Sequence, residues 1–309
     1  MKALLATGNT EDSVEFGDVA EPTPAANQAV IKVAAFAPNR GETFILERTP
    51  SADRRPGKDI AGVVVKAAAD GTGPAEGTRV IGHPPFGGWA EYAAVNTDAI
   101  ATLPDELSFE PAAALPLAGL TALRVLRVAG AVVGKRVLLT GASGGVGHYL
   151  VELVTAAGGE VTAVSASAER AERLTELGAA GIVHEVAAAE GPFDLVLEGI
   201  GGPDLATAVS LTAPRGTVIW FGQASRQPVT LDFFAFFAGP TSATIRRFDY
   251  TDSDVSAAVD MATLVRLVAG GRLHPEIGRT ADWAETSRTL TDLRDRRIRG
   301  KAVLTIDAH

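Results

Sequence analysis

The chain has 309 residues, 46% hydrophobic and 21% charged, enough to bury a substantial core and to form two domains. A formal net charge of -9 sets long-range repulsion against any polyanion, so neither a nucleic-acid nor an acidic-membrane partner is expected and a small soluble ligand fits better. With no cysteine, disulfides, thiolate catalysis and Cys-built zinc sites are excluded, and five histidines are all that remain for other metal chemistry, so no metal site is expected.

The first residues, Met1-Lys2-Ala3-Leu4-Leu5-Ala6-Thr7-Gly8, soon turn polar and lack the long apolar segment of a signal peptide, so they read as a first strand. Up to about residue 105, short β-rich runs alternate with Gly/Pro punctuation. They include Ala29 to Ala34, Ile60 to Val65 and Arg79 to Gly82, a spacing that predicts a compact, mostly β domain. At Ser108-Phe109-Glu110-Pro111 a hydroxyl residue precedes an acidic first turn, and Ala/Leu-rich helical sequence follows to about Ala129. This region is apolar, but Pro116, Arg124 and Arg127 interrupt it, so no membrane span is expected and a cytoplasmic location is the simplest expectation.

From Arg136 to about Arg247, apolar strands at Val137-Leu138-Leu139, Val161 to Val164, Gly181 to Val183, Asp194 to Leu197 and Thr217 to Trp220 alternate with helical stretches. That pattern predicts a parallel sheet covered on both faces. The tail reads as helices near residues 255–269 and 283–293 and a final strand at Ala302 to Ile306 that returns to the first domain.

After the strand at Val137 comes Thr140-Gly141-Ala142-Ser143-Gly144-Gly145-Val146-Gly147, and then a helix. A dinucleotide turn needs small residues for tightness, for backbone approach to a pyrophosphate and for close helix packing. Ala142, Gly144 and Gly147 occupy those three places, and the helix N-terminus offers N–H groups to the phosphates. The next strand ends in Ser165-Ala166-Ser167-Ala168-Glu169-Arg170, where an NAD site normally carries an acid for the ribose 2′-hydroxyl. Ser165, Ser167 and Arg170 suit a 2′-phosphate and so NADPH, while Glu169, past the strand end, leaves NAD open.

These residues, together with Pro56-Gly57-Lys58-Asp59-Ile60-Ala61-Gly62-Val63-Val64, Gly87-Gly88-Trp89-Ala90-Glu91-Tyr92, Ala113 to Ala122 and Gly300-Lys301-Ala302-Val303-Leu304, resemble the medium-chain dehydrogenase/reductase superfamily nearly end to end. The resemblance is to its zinc-independent quinone oxidoreductase branch. It implies an α/β chain with a discontinuous GroES-like, mostly β catalytic domain (residues 1–122 and 248–309). A Rossmann domain with a doubly wound parallel sheet (residues 123–247) completes it, with the nicotinamide in the cleft between the two. Zinc alcohol dehydrogenases of the superfamily place Cys, Gly-His-Glu and Cys at their catalytic metal. Here Asn39, Gly57-Lys58-Asp59 and Leu117-Ala118-Gly119 stand at or near those places, so the Lewis acid that alcohol oxidation uses is not expected.

The resemblance implies NADPH-dependent hydride transfer to a quinone or an α,β-unsaturated carbonyl. It places Asn39 and Thr121 beside nicotinamide and substrate, Gly141, Ala142, Ser143, Gly144, Gly145, Val146 and Gly147 on the pyrophosphate, and Phe221, Gly222, Gln223 and Ser225 in a loop lining the nicotinamide. His184 is a further candidate for the 2′-phosphate. Related enoyl reductases often carry a tyrosine proton donor, but the segment Pro38-Asn39-Arg40-Gly41-Glu42-Thr43-Phe44 has none, and no general acid is nominated among Lys58, Asp59, Arg40 and Glu42.

The run Phe233-Phe234-Ala235-Phe236-Phe237 reads equally as an acceptor pocket or as buried core or dimer surface. Ser242 to Arg247 reads as an edge strand of the kind that pairs relatives into homodimers. A short-chain dehydrogenase is set aside because Tyr92, Tyr149 and Tyr250 have Asn96, Leu153 and Asp254, not lysine, four residues on. An enoyl-thioester reductase of the same superfamily and a catalytically silent NADPH-binding sensor or structural protein are the remaining alternatives.

Overall fold

The computed structural model describes residues 1–47, 55–237 and 239–306. The chain forms two compact units, Met1–Leu120 with Asp254–His309 and Thr121–Ser253.

The first unit opens with an antiparallel pair, β1 (Lys2–Ala6) and β2 (Val14–Asp18). Then come β3 (Gln28–Phe36), the short helix α1 (Arg40–Leu46), β4 (Ile60–Lys66), β5 (Arg79–Gly82), β6 (Tyr92–Asn96) and β7 (Ile100–Thr102). Alternation of buried and less buried residues along β6 reflects a strand with one face on the core. Ile31, Phe36, Ile60, Val64, Val95 and Leu304 build that core, where the rings of Phe36 and Trp89 stack 5.6 Å apart.

Helical sequence after Ser108 forms two helices, α2 (Phe109–Ala113) and α3 (Pro116–Ala129). Pro116 has no N–H to donate into a preceding turn and its ring crowds it, so it takes the first position of a new helix instead.

In the second unit the order is β8 (Arg136–Leu139), α4 (Gly145–Ala156), β9 (Glu160–Val164), α5 (Ala168–Glu176), β10 (Gly181–Val183), β11 (Phe193–Glu198), α6 (Pro203–Ser210), β12 (Thr212–Trp220) and β13 (Thr244–Arg247). Six strands form one all-parallel sheet in the order β10-β9-β8-β11-β12-β13. Val137, Leu138 and Leu139 of β8 and Leu195, Val196 and Leu197 of β11 are all buried, as a sheet covered on both faces requires.

Progress outward from β8 to β10 and then back to β11 makes the β8/β11 junction the topological switch point, where ligands of such sheets bind beyond the carboxyl ends of the strands. The unit continues to Ser253, six residues beyond the expected border of 247. Phe248 N–H donates to Trp220 O, and the Arg124 guanidinium donates to Tyr250 O.

The chain then returns to the first unit with α7 (Ala257–Ala269), β14 (Ile277–Asp282), α8 (Thr286–Arg294) and β15 (Lys301–Thr305). A seven-stranded sheet results, with the order β14-β15-β3-β4-β5-β7 and β6 also on β3. β15 meets β3 at Ala35 and Phe36, next to where that strand runs into Asn39, and so carries Lys301 into the neighbourhood of Asn39.

Phe233, Phe234 and Phe237 lie in a 3₁₀ turn at 69%, 75% and 73% exposure, outside the core, whereas Phe236 of the same run packs against it.

Candidate functional site

The turn after β8 is built as the sequence predicts, with one correction. The residue in the left-handed region is Gly141, at φ 63°, while Ala142 is fully buried and its N–H donates to Val164 O at 3.1 Å. Gly141 therefore supplies the conformational freedom and Ala142 supplies packing. Gly147 is required by close approach: a Cβ there would lie 2.4 Å from Ala142 O and 2.5 Å from Gly141 O. Gly144 caps α4, whose first N–H groups, from Gly145 onward, have no partner within the helix and point toward the turn.

At the end of β9, Ser165 is buried and its hydroxyl has no hydrogen-bond partner. Its carbonyl lies 2.8 Å from His184 Nδ1. Arg170 reaches back from α5, and its Nε donates to Ser143 Oγ at 3.3 Å, so the guanidinium joins the strand-end region to the turn. Ser167 has a structural duty as well: its hydroxyl accepts from Arg170 N–H at 3.4 Å and caps α5.

Glu198, which the sequence reading missed, organises the switch point. It ends β11, is fully buried, and accepts from Thr140 Oγ1 at 2.7 Å, Ile200 N–H at 2.9 Å and Gly201 N–H at 2.9 Å. Burial pushes its carboxyl above the ordinary range even against those hydrogen bonds. Its backbone carbonyl accepts from Phe221 and Gly222, and Ser225 N–H donates to Ile200 O at 2.8 Å, so the loops after β11 and β12 are laced together. Gln223 lies over Gly201, with its Oε1 buried and unpartnered. An acid closing an apolar strand before Gly199-Ile200-Gly201-Gly202 was the available signal.

In the first unit, Asn39 precedes α1 in extended conformation and its N–H donates to Glu42 Oε2 at 2.9 Å. Its side-chain Nδ2 donates to Asp59 Oδ2 at 2.8 Å and its Oδ1 accepts from Lys301 Nζ at 2.6 Å. Asp59, fully buried, also accepts from Leu117 N–H at 2.9 Å and lies 3.2 Å from Lys301 Nζ and 3.3 Å from His83 Nδ1. Burial alone would raise the Asp59 carboxyl, but Lys301, His83 and Asn39 outweigh it and hold the group below the usual carboxylate range. Burial and the Asp59 charge push Glu42 up to about 7.

The first and second positions of the zinc-dehydrogenase pattern thus meet in a buried ion-pair and amide network centred on Asp59. Arg40 and Lys58 are only partly exposed. Thr121 is buried on α3. Among the described residues, no cluster of three or more His, Cys, Asp or Glu has metal-binding geometry, and no helix is long and apolar enough to cross a membrane.

Two family models match: the alcohol dehydrogenase GroES-like domain over residues 25–105 and the zinc-binding dehydrogenase domain over residues 145–264. The mouse quinone oxidoreductase is 30% identical over 233 residues, which cover 70% of each chain. The chain belongs to the quinone oxidoreductase-like branch of the medium-chain dehydrogenase/reductase superfamily. As a member of that branch it is an oxidoreductase acting on a small molecule.

The 2-methylene-furan-3-one reductase of tomato is 38% identical to this oxidoreductase over 178 residues, covering 52% of this chain and 46% of that protein. The quinone oxidoreductase of Escherichia coli, solved with NADPH, has the same fold, with a TM-score of 0.88 at 20% identity over 99% of both chains.

Proposed function

We propose that this oxidoreductase binds NADPH and passes hydride to a small quinone or an α,β-unsaturated carbonyl. The observation that carries the cofactor reading is the buried, unpartnered hydroxyl of Ser165 at the end of β9, with no acid closing the strand and Arg170 on Ser143 of the preceding turn. A carboxylate at that point accepts from a ribose hydroxyl, whereas a hydroxyl and a guanidinium suit a phosphate. The donor set fits NADPH. Ser165 and Arg170 would hold the 2′-phosphate, while Ser167 contributes through the α5 N-terminus that it caps. Gly141, Ala142, Ser143, Gly144, Gly145, Val146 and Gly147 would present backbone to the pyrophosphate.

Phe221, Gly222, Gln223 and Ser225, tied to Glu198, would line the nicotinamide, and Asn39 and Thr121 would meet the reacting groups. Reduced nicotinamide supplies the hydride when bound; the chain contributes binding, orientation and exclusion of water. The names of the mouse and tomato relatives, a quinone and a conjugated ketone reductase, support the acceptor class. β13 closes one edge of its sheet with Thr244, Arg246 and Arg247 exposed, which supports a homodimer formed by two such edges.

The test is oxidation of NADPH and NADH, followed optically, against quinones, enones and enoyl thioesters. The expected result is turnover of quinones or enones with NADPH preferred. Turnover confined to enoyl thioesters would move the acceptor assignment, and tight NADPH binding without turnover of any would favour the silent protein.

A further inference from the structure

We propose that Lys301 is a positioning residue for the reaction. Its ammonium fixes the orientation of the Asn39 carboxamide, so that the side chain can meet a ligand only as a hydrogen-bond acceptor. The inference rests on the reading that Asn39 meets the reacting groups.

An ammonium has donors only, so the atom of Asn39 that lies 2.6 Å from Lys301 Nζ is the oxygen. Its nitrogen is correspondingly surrounded by acceptors: Asp59 Oδ2 at 2.8 Å, Glu42 Oε2 at 3.3 Å and Ala37 O at 3.4 Å. Both amide hydrogens are thereby engaged inside the protein. The group that remains on this half-buried side chain is the second lone pair of Oδ1.

A ligand group that meets Asn39 is therefore a donor, such as a carboxamide N–H or a hydroxyl. A quinone oxygen or a developing enolate, which only accepts, has nothing to take from it. Without Lys301 the oxygen loses its charged partner, and the orientation of the amide rests only on the acceptors around its nitrogen. Lys301 is itself 3% exposed, and its other partners are Asp59 Oδ2 at 3.2 Å and Pro38 O at 3.5 Å, so it acts through Asn39 and not on a ligand.

A purely structural lysine, present only to neutralise Asp59, makes a different prediction, and a double-mutant cycle separates the two. Lys301→Met, Asn39→Ala and the double variant are compared for NADPH affinity, by fluorescence titration without acceptor, and for kcat/KM with 1,4-benzoquinone. Each single change is expected to lower kcat/KM by about tenfold, and adding Lys301→Met to Asn39→Ala to cost no more than about twofold further. Because Lys301→Met leaves Asp59 buried without its cation, the cycle is repeated in Lys301→Met/Asp59→Asn, which removes both charges together, with folding checked by thermal melting.

Losses that multiply in the combined variant overturn the positioning role, as does a Lys301 variant that keeps wild-type affinity and kcat/KM while Asn39→Ala loses them. If Asn39→Ala changes neither quantity, it is the placement of Asn39 at the reacting groups that fails, and this inference with it.

Discussion

At the scale of single residues, Arg170 and Glu42 depend on charge in opposite ways. Arg170 brings a permanent cation to Ser143, and β9 ends at the unpartnered Ser165 hydroxyl with no acid closing the strand. Arg170→Ala is expected to cut the preference for NADPH over NADH in binding by about tenfold, the worth of one charge-assisted hydrogen bond to a phosphate. An affinity ratio that does not move would remove Arg170 from the 2′-phosphate site.

Glu42 shows the reverse situation, a carboxyl that burial and the Asp59 charge raise from 4.5 to about 7. The folded protein keeps a proton there that the unfolded chain gives up. The contribution of this group to stability is therefore fully present below pH 4.5 and is lost as pH rises through 7. A change of that size is worth about 3 kcal/mol. Asp59, whose carboxyl is held low, contributes stability that is lost only as pH falls below the ordinary carboxylate range, so the two windows do not overlap. In Glu42→Gln the fall in unfolding free energy between pH 4.5 and 7 is expected to flatten, and urea denaturation at several pH values measures it. A wild-type slope retained in the variant would assign the titration to another group.

At the scale of elements, the period of the apolar residues located nearly every strand of the parallel sheet within a residue or two, because each is a continuous Val/Ile/Leu run between turn residues. The exception is β12, which starts five residues before the expected Thr217, at Thr212 beside Phe193 of β11. The break at Pro116 and the capping duty of Ser167 were written in the residues too, in a proline that cannot continue a helix and a serine three residues before Arg170 N–H.

Gly147 belongs to this scale, since its lack of a side chain sets how closely α4 lies on the turn after β8. A methyl group placed 2.4 Å from one carbonyl oxygen and 2.5 Å from another forces the helix away. Gly147→Ala is expected to lower stability by about 1–3 kcal/mol. It should also weaken NADPH binding by more than the stability loss explains, as thermal melting and titration together would show. Unaltered binding would mean that the turn adapts, and that the spacing of α4 is not what the ligand requires.

For the whole molecule, the open edge at β13 leads to the expectation that sedimentation finds a species of twice the 31.9 kDa chain mass, and that charge reversal at the exposed Arg246 (Arg246→Glu) shifts it toward the monomer. A wild-type monomer at micromolar concentration would exclude the edge as a stable interface.

The sequence by itself determined the alternation of strands and helices from Arg136 to Arg247, the glycine-rich turn from Gly141 to Gly147 and the absence of cysteine ligands. Composition and local spacing carry all three. The turn sits in a contiguous strand, turn and helix whose geometry is set by neighbours in the chain.

Only the tertiary structure decided that Asp59, Glu42, Asn39 and Lys301 form one buried network. It likewise revealed that Glu198 holds the loops at the switch point and that Phe233, Phe234 and Phe237 face outward. The reason is physical. The worth of a charged or aromatic side chain is set by its burial and by partners that arrive from distant segments, as when β15 carries Lys301 to β3 and to Asn39 at its end. No local pattern records which segments will meet.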